Sequence, residues 1–356
     1  MLFSTIKTVY YTLLQKYFMI SSSSSDAQTP ERVVSPKEKN WDSTVFQNGF
    51  RPKTLENYVW QDTIKKHLMV SISSAKIRGE CLEHIMFYGP PGLGKTTLSN
   101  ILAHEMESHL RTTSGPAIEK QSDLVSILSN LESGDILFID EIHRLRPQVE
   151  EILYTAMEDF QIDIMVGSWT WAQSVKLPVK PFTLVGATTR LSALSSPLRD
   201  RFGNVLKLDF YDIPQIAIIL KNNCEMLGFD LSDEILSLIA TKSRGTPRIA
   251  NRLLKILRDY HTIWKDIADP KVLAWVFQDI GIDEKWLDYL DRKYLSSIFK
   301  NFKGGPVGLG TLSSTLGEEE ATLEDVVEPY LLQIGFIERT PRGRKITGRW
   351  ISHLER

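Results

Sequence analysis

Cysteine, long apolar runs and net charge are all scarce in this 356-residue chain, and each shortage narrows what it can be. Cys81 and Cys224 are its only two cysteines, and neither has a metal ligand at binding spacing. A disulfide framework is therefore not expected, both residues read as small buried hydrophobes, and a reducing, cytoplasmic setting fits. The most apolar stretch, Val9 to Leu14, is broken by Gln15 and Lys16, far short of the roughly 20 apolar residues that a membrane-spanning helix needs. With 42 basic against 44 acidic residues, the formal net charge of −2 gives no global attraction to nucleic acid. Any such binding has to come from a local patch. What is present, 42% hydrophobic and 24% charged residues, is the composition of a folded chain of two or three domains.

Residues 1–40 differ from the rest: an acid-free apolar start runs into Ser21 to Ser25 and then into a polar stretch with Pro30 and Pro36. We expect disorder here, in a leader that carries no function or that precedes the true start, for which Met19 is a candidate. The lack of acid would also suit a targeting peptide, but Arg is missing from this start and no small-residue cleavage site follows a clean apolar core. From Phe50 to about Tyr211, short apolar runs at His84 to Tyr88, Ile136 to Ile139 and Phe182 to Val185 alternate with helical patterns, which predicts an α/β fold with a parallel sheet. From Pro214 to about Ile282 strand signals vanish, and Ile216 to Met226, Asp233 to Lys242 and Ile249 to Ile263 carry apolar residues at helical spacing. Beyond them, Leu323, Val326, Val327, Tyr330, Leu331 and Ile334 mark one helix face, and Phe336 to Thr347 reads as two short strands around Pro341-Arg342-Gly343. Helices followed by a basic hairpin predict a winged helix-turn-helix. The expected division is 1–40 leader, 41–211 sheet domain, 212–282 small all-α domain and 283–356 winged-helix head.

The chemistry concentrates at Gly89-Pro90-Pro91-Gly92-Leu93-Gly94-Lys95-Thr96, a P-loop pattern that directly follows an apolar run and opens a helix-compatible segment. Glycines there let backbone N–H groups close on phosphate oxygens, Lys95 neutralises the outer phosphates, and the Thr96 hydroxyl completes a Mg²⁺ shell. Later, Ile136-Leu137-Phe138-Ile139-Asp140-Glu141 reads as a buried strand ending in two acids: Asp140 to hold the hydrated metal, Glu141 as the base for the attacking water. His143 reads as a helix-surface or interface residue, since no second ligand lies at metal spacing. Thr188, after the run from Phe182, sits where a γ-phosphate could be felt. Ser196-Pro197-Leu198-Arg199-Asp200-Arg201 offers two arginines able to stabilise phosphoryl transfer, and spacing alone does not choose between them. Arg244-Gly245-Thr246-Pro247-Arg248 opens a further helix with another cation.

Together, GPPGLGKTT, RTTSGP (Arg111 to Pro116), FIDEIHRL, GATTR, SPLRDRFG, RGTPRIANRLL, GGPVG (Gly304 to Gly308) and RTPRGR resemble the RuvB family, AAA+ ATPases that drive bacterial Holliday-junction branch migration in homologous recombination and DNA repair. The resemblance spans about Phe50 to Trp350. It implies an AAA+ ATP hydrolase in which Gly92, Gly94, Lys95, Thr96 and Thr97 hold ATP, Thr96 and Asp140 hold Mg²⁺, and Lys95, Asp140, Glu141 and Arg201 are catalytic. Thr188 then corresponds to sensor 1, Arg248 to sensor 2, and Arg201 to an arginine finger acting on the neighbouring subunit. The resemblance further implies nucleotide contacts at Phe50, Arg51, Glu158, Asp159, Phe160 and Tyr211, and DNA contacts at Arg339 and Arg344. It implies a homohexamer around duplex DNA, working with RuvA at the junction and with the resolvase RuvC.

The wing makes sense without the resemblance, because Arg339, Arg342, Arg344, Lys345 and Arg349 gather cations with no acid among them, and phosphate contacts carry no sequence information. Trp60 and Thr155 depart from the family pattern, standing where glycine and proline are usual. The larger departure is Ser168 to Gln173, in a segment that resembles the RuvA-docking hairpin. There Trp169 and Trp171 alternate, so on a strand both face one side as an apolar patch. Two rival readings are a clamp-loader-type ATPase, whose finger motif would read Ser-Arg-Cys and which lacks a wing, and a nucleotide-bound DNA scaffold, against which Lys95, Asp140, Glu141 and Arg201 argue.

Overall fold

Strand by strand, the sheet sorts its side chains into two cores. A computed structural model describes residues 51–59, 61–166, 173–228, 230–264, 270–283 and 285–354. The expected leader 1–40, the expected nucleotide contact Phe50, the family departure Trp60 and the expected partner-facing Trp169 and Trp171 lie outside them. The strands of the first part are β1 (Ile85–Tyr88), β2 (Leu110–Ser114), β3 (Ile136–Asp140), β4 (Gln161–Val166), β5 (Gln173–Pro178), β6 (Thr183–Thr188) and β7 (Asn204–Lys207). Five of them form one sheet in the order β2-β3-β6-β1-β7, every pairing parallel. Side chains alternate between faces at period 2. Ile85, Phe87, Ile136, Phe138, Val185 and Ala187 join one apolar cluster, while Met86, Leu137, Ile139 and Leu184 join another. Burying each such side chain contributes about 1.5–3 kcal/mol, so these two faces dominate the local energetics.

The first cluster continues into the helical module through Leu220, Leu236, Leu253 and Leu254. Its helices are Ile213–Leu227, Asp233–Lys242, Pro247–Trp264 and Pro270–Asp279. Their ends follow local chemistry. Asp212 and Gln215 form a reciprocal cap at the first, Gly228 closes it in the left-handed region at φ 64, and the Ser232 hydroxyl accepts from the Ile235 N–H to start the second. β4 and β5 form a separate antiparallel pair with Val166 opposite Gln173, and residues 167–172 lie outside the described residues.

The C-terminal part has its own core of Leu290, Tyr294, Leu295, Ile298, Leu312, Val327, Leu331 and Trp350. Helices Tyr289–Asn301 and Leu309–Leu316 lead to a third, whose middle, Leu323–Val327, widens into a π turn. The expected apolar face is there: Leu323, Val326, Val327, Tyr330 and Leu331 are buried. β8 (Ile337–Thr340) and β9 (Gly343–Ile346) pair antiparallel, and Val307 exchanges two backbone hydrogen bonds with Arg344 on the outer side of β9. No helix among the described residues is long and apolar enough to cross a membrane.

Candidate functional site

The phosphate loop leaves β1 at Tyr88, at the carboxyl edge of the sheet, and enters the helix Lys95–Glu105. Gly94, at φ 97, is the residue before that helix, and no side chain among the described residues caps it. Its first N–H groups thus lack the partner that a Ser, Thr or Asp cap would supply, which leaves them to an anion. Lys95 is 8% exposed and donates to the carbonyls of Gly89 (2.7 Å) and Pro90 (2.9 Å), folding over the loop. Burial pulls its ammonium down to about 8, opposed by the charge of Asp140 and reinforced by Arg248. A buried cation held this far below its ordinary value is a site that an anion stabilises. Thr96 and Thr97 follow in the first helical turn, both half-buried.

β3 delivers Asp140 to the same edge, and β6 runs between β3 and β1, so Asp140, Thr188 and the loop lie side by side. The Asp140 carboxyl is pushed up by burial, against the backbone N–H of Glu141, which donates to its Oδ1 at 2.9 Å, and the charge of Lys95. It makes no ion pair among the described residues. A hard oxygen donor with one oxygen committed and the other available, next to the Thr96 hydroxyl's helix, fits Mg²⁺, which needs few protein ligands when phosphate and water supply the rest. Among the described residues there is no cluster of three or more His, Cys, Asp or Glu that would hold a metal alone. Glu141 sits in the left-handed region at φ 48 and its carboxylate, half exposed, pairs with Arg144 at 2.9 Å. Strain of this kind, on the order of 1–3 kcal/mol, persists where the surroundings enforce it. Gly115, in the RTTSGP segment after β2, makes room for this turn: a Cβ there would collide with the Glu141 carbonyl oxygen.

Thr188 ends β6, three residues beyond the apolar run that closes at Val185, and is fully buried. Its hydroxyl oxygen accepts the Arg190 N–H at 2.9 Å and lies 2.9 Å from Nδ1 of His143. His143, expected on a surface or interface, is half-buried on the turn Ile142–Arg144, and burial lowers its pKa. Arg248 begins the long helix of the helical module, and a Cβ on Gly92 (φ 85) would come within 3.1 Å of the Arg248 Cβ. Arg248 therefore stands against the phosphate loop, and its charge is felt by both Lys95 and Asp140. Behind the loop, the Tyr211 hydroxyl donates to the Tyr58 hydroxyl at 3.1 Å and approaches the Leu93 carbonyl at 3.5 Å. Burial raises Tyr211 to about 12. Arg51 is half-buried at the start of the described chain.

The remaining expected nucleotide contacts gather elsewhere. β7 pairs with β1 so that Asn204 lies opposite Ile85 and Lys207 opposite Tyr88. Arg201, ahead of Asn204, is consequently at the amino edge, about 10 Å of strand from the phosphate loop. Its guanidinium pairs with Glu158 at 3.1 Å, donates to the Pro197 carbonyl at 2.7 Å and lies 4.7 Å over the Tyr154 ring, while its buried Nε has no partner among the described residues. Phe160 packs edge-on against Phe182 beside it, and Asp159 is exposed at the intervening turn. Phe160 and Arg201 line a cleft of about 580 Å³ with Leu82 and His84. The chosen residues thus form two groups, one around Lys95 and one around Arg201.

In the C-terminal part, register puts Arg339 directly opposite Arg344, so both side chains share one face of the hairpin. Both reach the fully buried Glu328: Arg339 through Nη2 at 2.6 Å, Arg344 through Nε at 2.8 Å, with the Tyr294 hydroxyl donating at 2.8 Å. Arg342, in the turn, is exposed and makes no ion pair among the described residues.

Three family models cover this architecture in order: the Holliday junction DNA helicase RuvB P-loop domain over residues 50–208, the RuvB AAA lid domain over 211–273 and the RuvB C-terminal winged helix domain over 284–355. The chain belongs to the RuvB family. Among solved structures, it is similar to the Thermotoga maritima RuvB Holliday junction branch migration motor, at 47% identity and a TM-score of 0.80, covering 86% of this chain and 98% of that one. Substituted forms of the same Thermotoga maritima protein match at 48% and 46% identity, with TM-scores of 0.80 and 0.79 and the same coverage. The family is one of AAA+ P-loop ATPases, so this chain is a nucleotide-binding ATP hydrolase with a parallel-sheet domain, a helical lid and a winged helix.

Residues that sequence reasoning missed in this RuvB-family chain are Tyr58, His143 as the neighbour of Thr188, and the acids Glu324, Asp325 and Glu328. Only Glu328 carried a signal, as an acid among the apolar positions Val326, Val327, Tyr330 and Leu331; Glu324 and Asp325 are part-exposed and fall between the apolar positions, where acids are ordinary.

Proposed function

We propose that this chain is an ATP-driven motor that moves duplex DNA at four-way Holliday junctions in homologous recombination and DNA repair, acting in the cytoplasm as a homohexamer with RuvA and RuvC. The observation that carries the reading is the separation of Arg201 from Lys95 by the length of β1. This separation supports Arg201 serving the nucleotide of another copy, beside the Arg248 that each copy keeps at its own loop, and copies that each serve a neighbour close into a ring.

In this reading Gly92, Gly94 and Thr97 shape the cradle for ATP, Lys95 neutralises the outer phosphates, and Thr96 and Asp140 hold Mg²⁺. The ion, when bound, supplies positive charge to the phosphate oxygens as the bond breaks. Glu141 orients the attacking water and accepts its proton, Thr188 hydrogen-bonds at the γ-phosphate, and Arg248 carries the helical lid's position to the nucleotide. Arg51 and Tyr211 border the same nucleotide, together with Phe50. Arg201, with Glu158, Asp159 and Phe160, faces the nucleotide of the next subunit. Arg339 and Arg344 contact the phosphate backbone, and RuvA docks on β4, β5 and the sequence between them that includes Trp169 and Trp171. Support for the last point is that β4 and β5 stand apart from the main sheet.

The test is to mix the full chain with ATP, a synthetic four-way junction and its RuvA, then separate the products. Branch-migrated arms are expected. ATP cleavage without migrated product would overturn the motor reading.

A further inference from the structure

A chain of ion pairs joins the end of β6 to the wing. The Arg190 N–H holds the Thr188 hydroxyl oxygen at 2.9 Å. The guanidinium of Arg190 grips Asp325 through Nε at 3.0 Å and Nη2 at 2.8 Å, and reaches Glu324 Oε2 at 3.1 Å. The other oxygen of Glu324 lies 3.7 Å from both Arg339 Nη1 and Arg344 Nη2, the two arginines that Glu328 holds at 2.6 and 2.8 Å. Three guanidinium groups meet three carboxylates, so the cluster is neutral as it stands.

We propose that Arg190 is a positioning residue that makes ATP turnover at Thr188 respond to duplex on the wing of the same subunit, with Glu324 as the carboxylate that both sides share. The inference rests on the reading of Thr188 and of the wing given above. An arriving phosphate brings excess negative charge to Arg339 and Arg344. It competes first with the long contacts from Glu324, which is 32% exposed in its side chain, rather than with the short contacts from the buried Glu328. Glu324 then belongs to Arg190 alone. Because the Arg190 side chain and the N–H that holds Thr188 are one residue, a shift at the guanidinium changes the hydroxyl's alignment. The π turn Leu323–Val327 that presents both acids is a geometry often found at functional sites. Reciprocity requires the converse, that nucleotide state changes duplex affinity by the same factor.

The experiment uses the full chain carrying Glu324→Gln or Asp325→Asn, amides of nearly the same shape. Turnover and KM for ATP are measured with and without saturating linear duplex, and duplex affinity is measured with a non-hydrolysable ATP analogue and with ADP. The wild-type chain is expected to show coupling of about 5-fold or more, and both variants to bring it within about 2-fold of none while still binding duplex and keeping basal turnover. Arg190→Glu alone should lose the coupling, and combining it with Asp325→Arg should restore part of it, an outcome that simple misfolding does not produce. Variants that bind duplex and keep the full wild-type ratio would overturn the coupling and leave the motor reading intact. A wild-type chain that cleaves ATP and binds duplex with no coupling would do the same. A wild-type chain that does neither would remove the motor reading and the coupling with it.

Discussion

The Thr188 hydroxyl lies 2.9 Å from Nδ1 of His143, which makes the imidazole the side chain that shares this hydroxyl with the Arg190 backbone. Burial keeps His143 below its ordinary pKa, so the ring is neutral near pH 7 and its tautomer decides which way the Thr188 proton points. Losing that hydrogen bond removes about 1–1.5 kcal/mol of alignment, which corresponds to about tenfold in rate. His143→Ala should therefore lower kcat by about tenfold with KM for ATP nearly unchanged. Steady-state kinetics decide it, and a raised KM at constant kcat would assign His143 to binding instead.

Proton uptake reports on Lys95. Its ammonium titrates at about 8 in the free protein, because burial outweighs the attraction of Asp140. A bound triphosphate favours the charged form and raises that value. At pH 8, where about half the lysines are neutral, binding should take up about half a proton, and at pH 6.5 almost none. Affinity should accordingly weaken as pH rises above 8. Calorimetry in two buffers of different ionisation heat measures the uptake directly. Equal uptake at both pH values would show that Lys95 is already fully charged in the free protein.

How much of this was legible beforehand follows from what is contiguous in the chain. β3 announces itself as Ile136-Leu137-Phe138-Ile139, buried on both faces, whereas the edge strands β2 and β7 read Leu-Arg-Thr-Thr-Ser and Asn-Val-Leu-Lys, half exposed and polar, and carry too little apolar signal. The phosphate loop was readable because its parts are adjacent, and the helix face from Leu323 to Leu331 because its spacing is regular. Arg190 and Asp325 stand 135 residues apart, and no periodicity connects them. Glu328 illustrates the same limit: an acid on an apolar face reads as an exception until Arg339 and Arg344 are seen to converge on it.

Glu141→Gln separates binding from chemistry. The substitution keeps side-chain shape and the left-handed backbone at φ 48, but an amide accepts no proton from water. Nucleotide affinity should stay within about 2-fold, while turnover falls by about 10²–10⁴, the usual worth of a general base. Equilibrium binding of a labelled nucleotide and phosphate release measure the two halves. Turnover within a few-fold of wild type would remove Glu141 from its role.

Arg201→Ala tests action between subunits. Its guanidinium lies at the sheet's amino edge, at the opposite end of β1 from the phosphate loop, with a buried Nε that has no partner among the described residues. ATPase activity should fall by about 10³ or more, as for other arginine fingers. Mixing Arg201→Ala chains with Lys95→Ala chains should recover part of the activity, because a mixed ring pairs an intact finger with an intact loop. Absence of any recovery, with mixed assemblies shown by mass measurement, would place the finger's action within its own chain.

The wing offers a comparison between two neighbouring arginines in different settings. Arg342 is exposed in the hairpin turn without an ion pair among the described residues, while Arg344 is 17% exposed in its side chain and bound to the fully buried Glu328. Replacing Arg342 by alanine should cost duplex affinity evenly across sequences and lower the slope of log affinity against log salt by about 0.9, the share of one phosphate contact. Stability should move by less than about 0.5 kcal/mol, as at other surface positions. Arg344→Ala should lose affinity in the same way and also destabilise the winged helix by about 1–3 kcal/mol, since a buried carboxylate loses one of its two cations and Arg339 compensates only in part. Salt titrations of duplex binding and thermal unfolding of each variant read the two effects. Equal stability in both variants would mean that Glu328 is satisfied by Arg339 and Tyr294 alone, leaving Arg344 as a DNA contact with no structural duty.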